Sequence, residues 1–81
     1  MPYITRTQRV ELAAGTRPHF VGELNYAITQ LCAQFVKDRD LSYQTINDVL
    51  GALEGAKQEF YRRVAVPYEN SKLALNGDVY L

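Results

Sequence analysis

Thr45–Val64, TINDVLGALEGAKQEFYRRV, is the stretch that decides the fold of this chain. Ile46, Val49, Leu50, Leu53, Phe60 and Val64 recur at helical spacing, and Thr45 with Asp48 three residues later is a variant of the helix-capping pattern. Beside that apolar face lie Gly51 and Gly55, four apart, with Ala52 and Ala56 repeating the spacing one residue on. A mid-helix glycine costs roughly 0.5–1 kcal/mol against alanine, so a pair of them calls for a reason. The usual one is close approach by another helix backbone or by a ligand. Pro67 is expected to stop this helix, because Val66 before it is biased out of the helical region.

Working outward, Thr16-Arg17-Pro18 opens an earlier helix, since proline is tolerated in a first turn. Val21, Leu24, Ile28, Leu31 and Phe35 then alternate at spacings of three and four, with Ala27, Cys32 and Val36 widening the stripe. The helix ends in the charged run Lys37-Asp38-Arg39-Asp40. Leu41-Ser42-Tyr43 connects the two, and Ser42 is an alternative cap to Thr45. Two long helices, Pro18–Asp38 and Thr45–Val64, joined so tightly are expected to run antiparallel.

The ends are less regular. Pro2 and Tyr3-Ile4 suggest an extended start, then Thr5 or Thr7 caps a short helix through Leu12-Ala13-Ala14 that stops at Gly15. In the tail, NSKLALNGDVYL, Asn76-Gly77 is a strong hairpin signal with KLAL and DVYL as strands. The same Asn-Gly also suits a left-handed cap after one helical turn over Ser71–Leu75. The extended tail, turning at Asn76-Gly77, is the expectation. The fold expected is thus all-α: one helical-hairpin domain over residues 1–81, with a short N-terminal helix and an irregular or short β-hairpin tail.

Bulk properties narrow the rest. A chain of 81 residues buries only about 60% of its unfolded surface, too little for a secure monomer. Cys32 is the single cysteine and His19 the single histidine, so neither a disulfide nor a metal cluster compensates. Assembly is the remaining route, and two apolar stripes this wide leave some of Phe20, Leu24, Leu31, Phe35, Ile46, Val49 and Phe60 for another copy to cover. Nine basic residues balance nine acidic ones, which disfavours a nucleic-acid duplex as partner. No run approaches the ~20 apolar residues of a membrane span, and MPYITRTQRVELAAG lacks a signal-peptide core. The single cysteine fits a cytoplasmic setting, which is the expectation.

Catalytic chemistry finds little support. His19 has no partner in sequence, Cys32 sits at the edge of an apolar stripe, and the carboxylates are scattered. Glu54 with Lys57 and Glu59 with Arg63 read as helix-surface pairs. The chain is therefore read as non-catalytic, with no cofactor and no metal.

One cluster is chemically suggestive. Lys57 and Tyr61 share a helix face, Arg62 and Arg63 follow at the helix end, and Tyr68 lies just beyond. Cations at a helix C-terminus complement its dipole, which is the plain reading. The functional reading is that guanidinium groups hold a phosphate while tyrosine stacks on a base. Asn25, bordering the apolar stripe of the first long helix, and Tyr26 beyond it are the other candidates. Six tyrosines with no tryptophan favour a binding surface.

GELNYAITQL, LSYQTINDVLGALEGAKQEFYRRVAVPYE and NGDVY, under an MPYI start, resemble a family of short proteins of unknown function from bacterial and phage genomes. A second likeness is topological. Leu50, Leu53-Glu54, Ala56 and Phe60 look like the L-x-x-L-E-x-A pattern of viral sponge proteins, homo-oligomeric helical hairpins that sequester cyclic nucleotide signals of antiphage defence. The Trp those proteins carry further along is absent here. The likeness implies a phage-encoded binder of a small phosphorylated, nucleotide-type signal. A protein-binding adaptor or inhibitor, using the tyrosine-rich surface, is the alternative.

Overall fold

The computed structural model describes residues 4–80, and the chain divides into two units, Met1–Ile46 and Asn47–Leu81. Among the described residues all regular structure is helical. The extended start expected at Pro2 and Tyr3 lies outside the described residues.

In the first unit, helix α1 (Arg6–Ala13) begins at a capping box. Thr5 Oγ1 accepts from the Gln8 amide at 3.1 Å, and Gln8 Oε1 accepts from the Thr5 amide at 2.7 Å. Gly15, at φ +102°, ends it in the backbone region glycine enters without steric cost. Helix α2 (Val21–Lys37) starts later than the sequence suggests: Pro18 stands outside it. The Glu23 carboxylate sets that start by accepting from the backbone amides of His19 (2.7 Å) and Phe20 (3.3 Å). These are donors that the first turn would otherwise leave unpaired.

Helix α1 packs on α2. The half-buried positions trace the contact: Ile4, Gln8 and Leu12 along the N-terminal segment, and Gly22, Tyr26, Ala27 and Gln30 around buried Glu23 on α2. At the far end of α2 the Arg39 guanidinium donates to the Phe35 carbonyl at 2.8 Å and lies 3.5 Å from the centre of the Phe35 ring. Helix α3 (Tyr43–Phe60) then begins at Ser42, whose Oγ accepts from the Thr45 amide at 3.1 Å. Thr45 Oγ1 donates back to the Asp40 carbonyl at 3.0 Å. Of the described side chains only Glu23 and Thr45 are buried, each 7% exposed, and no apolar side chain is.

The second unit corrects the sequence reading at Pro67. The helix does not stop: α3 passes into a π-helical turn, Tyr61–Ala65, and on into α4 (Val66–Asn76), with Pro67 in the first turn of α4. Proline has no N–H and crowds the carbonyl four residues back. The π turn accommodates this by pairing the Val66 amide with the Tyr61 carbonyl, five residues back, immediately before the proline. The tail is corrected too. Ser71–Leu75 are helical rather than a strand, and Gly77, at φ +84°, caps α4 with its amide 2.8 Å from the Leu73 carbonyl. Residues 77–80 are irregular, with the Tyr80 amide donating to Asp78 Oδ1 at 2.9 Å.

Gly51 and Gly55 have ordinary helical backbones, and a Cβ at either would meet nothing within 4 Å. At about 100° per residue they fall roughly opposite Leu53 and Phe60, not beside them. Their neighbours on that face are Asp48, Gln58 and Arg62. The bare stripe is thus polar.

Candidate functional site

Lys57, Gln58, Glu59, Tyr61 and Arg62, with Glu54 and Gly55, line one shallow groove along the end of α3 and the π turn. Helical spacing builds it: positions 54, 57, 58 and 61 are neighbours on a helix surface, and Gly55 leaves the floor as bare backbone. The structure therefore brings together Lys57, Tyr61 and Arg62. Arg63 is tied to the same cluster through Glu59. Asn25 and Tyr26 belong to the other unit, on α2.

Each cation already has a partner. Lys57 Nζ stands 3.7 Å from Glu54 Oε2, as the sequence spacing anticipates. Glu59 holds both arginines, accepting from Arg62 Nη2 at 2.6 Å and from Arg63 Nε. These side chains are mostly exposed, and such pairs are worth about 0–1 kcal/mol. A phosphate, with more charge and three acceptor oxygens, can displace Glu59 at small cost. The lining of the groove carries two cations, Lys57 and Arg62, against two carboxylates, Glu54 and Glu59, and Arg63 at its edge adds a third cation.

The tyrosines differ in role. The Tyr61 hydroxyl donates to Glu69 Oε1 at 3.2 Å, and that carboxylate pushes the phenol pKa up. Tyr61 as a whole is over half exposed. Tyr68, also exposed, carries Lys72 Nζ at 5.5 Å from its ring centre. On α2, Asn25 is exposed and its carbonyl accepts from Thr29 Oγ1 at 2.9 Å, while Tyr26 is half-buried on the face that carries Glu23.

Sequence reasoning missed Glu69 because the two groups are eight residues apart, off-register for an α-helix. The π turn sets the register back by about one residue, so the pair behaves like positions seven apart and meets on one face. It also missed Glu23 and Gln8, whose signals were present as T-x-x-Q at Thr5–Gln8 and the Glu three residues after Phe20. His19 serves through its backbone amide, and Cys32 lies half-buried beside Thr29, Ala33 and Val36.

An all-helical chain with an open, mixed-charge groove and no buried apolar side chain among its described residues defines a class of small helical proteins. Within that class, this chain belongs to the family defined by the domain of unknown function DUF6899, whose model matches residues 1–79. No curated protein and no solved structure matches it. Among the described residues, no helix is long and apolar enough to cross a membrane.

Proposed function

We propose that this is a non-catalytic binding protein, acting in the cytoplasm as a homo-oligomer, whose ligand is a small phosphorylated molecule of nucleotide type. The observation that carries the ligand class is the shared groove of Lys57, Tyr61 and Arg62, with Arg63 held at its edge by Glu59. Arginine and lysine supply the phosphate contacts, and Tyr61 or Tyr68 the stacking surface. Asn25 and Tyr26, on α2, are further candidate contact residues in the other unit. Oligomerisation is supported by the exposure of Phe20, Val21, Leu31, Leu50 and Phe60, each at least 59% exposed. The likeness to viral sponge proteins suggests a phage or prophage setting and sequestration of a defence signal.

The test is a thermal-shift screen of the full chain against nucleotides and cyclic dinucleotides. A ligand at 100 times its dissociation constant raises stability by about 2.7 kcal/mol, which the assay resolves. Arg62→Ala and Arg63→Ala are expected to abolish that shift while changing the melting of the free protein little, because exposed ion pairs contribute about 1 kcal/mol or less. If no phosphorylated ligand shifts the wild type at millimolar concentration, the adaptor reading takes its place, favoured by the exposed Tyr43, Tyr61, Tyr68 and Tyr80.

A further inference from the structure

We propose that α1 is a releasable strap on α2 and that the Gln8–Glu23 pair is its clasp. Gln8 is used at both ends of its amide. Its Oε1 caps α1 by accepting from the Thr5 amide, and its Nε2 donates to Glu23 Oε2 at 2.8 Å. Glu23 is likewise used at both oxygens. Its Oε1 caps α2 by accepting from His19 and Phe20, and its Oε2 holds Gln8. One amide and one carboxylate thus join the starts of two helices into a single hydrogen-bonded relay, and Glu23 is one of just two buried side chains described.

The strap cannot persist undocked. An eight-residue helix is too short to hold itself in water, so α1 is either docked and folded or released and melted. Its apolar contribution is small: Ile4 and Leu12 are half-buried, while Val10 is 61% exposed. The clasp is charge-assisted, hence strong for a single hydrogen bond, and its loss leaves little to keep α1 in place. Release uncovers the face of α2 that carries Glu23, Tyr26, Ala27 and Gln30. The proposal does not depend on the ligand reading, since every contact in it lies within the first unit.

Two variants of the full chain test it through amide hydrogen exchange. Gln8→Glu keeps the cap on α1, indeed improves the capping box, yet sets two carboxylates against each other at the clasp. Exchange at Arg6–Ala13 is expected to rise about tenfold or more, with the amides of residues 47–76 unchanged as the internal reference. The double variant Gln8→Glu with Glu23→Gln restores donor and acceptor in reversed order. The carboxylate introduced at position 8 then accepts from the Thr5 backbone and from the side-chain amide introduced at position 23, whose oxygen still caps α2. Recovery of wild-type protection in the double variant supports the clasp. Protection at α1 unchanged by Gln8→Glu, or a double variant no better protected than the single one, overturns it.

Discussion

Glu23 links the starts of α1 and α2 by accepting from Gln8, His19 and Phe20, and these hydrogen bonds favour its charged form. The amide of His19 is the largest influence holding its carboxyl below the usual value of 4.5, aided by Gln8, Phe20 and the His19 charge and opposed by burial. A group whose folded pKa is depressed contributes stability above its unfolded value and loses it as pH falls through the folded one. Wild type is therefore expected to melt above Glu23→Gln at pH 5. That margin shrinks as pH drops below about 4.5. A margin that is flat down to pH 3 would show that Glu23 has no special role. At this scale the sequence was half legible. Thr5 and Gly15 announced themselves by local spacing, as did the Glu54–Lys57 and Glu59–Arg63 pairs. The Gln8–Glu23 contact joins residues fifteen apart, and no local pattern specifies such a contact.

The element that departs furthest from expectation is the π turn. Residue rules say that proline ends a helix, and they are right that an α-helix cannot pass Pro67 unaltered. They do not weigh the alternative of widening one turn, which costs a local distortion but keeps α4 continuous with α3 and places Tyr61 against Glu69. Pro67→Ala restores the missing donor and removes the steric conflict. The segment Tyr61–Ala65 is then expected to become α-helical, Tyr61 to rotate away from Glu69, and its phenol to titrate lower than in wild type. Melting should rise, by no more than about 3 kcal/mol in stability. A Tyr61 titration unchanged by the substitution would mean that the π turn is set by something other than the proline. The tail has the same lesson in small form: Asn76-Gly77 is a turn signal, and Gly77 does take a left-handed backbone. Whether strands or a helix precede such a turn depends on the continuity of α4 through Pro67, which the local signal does not carry.

For the molecule as a whole, helical class was the most legible property, because periodicity over long segments depends on no distant contact. The positions of Gly51 and Gly55 were legible as an anomaly but misjudged in face. They open the backbone on the polar side of α3, next to the groove of Lys57, Tyr61 and Arg62, instead of notching its apolar side. Partner and ligand were not legible, since both depend on surfaces that only assembly or binding completes. The central claim is that these uncovered faces are completed by further copies of the chain. Light scattering on the purified protein at micromolar concentration tests it most directly. The account predicts a mass that is a whole-number multiple, two or greater, of 9.2 kDa, unchanged in Gly55→Leu, whose added side chain enters open space on the polar face. A wild-type mass of 9.2 kDa would contradict it.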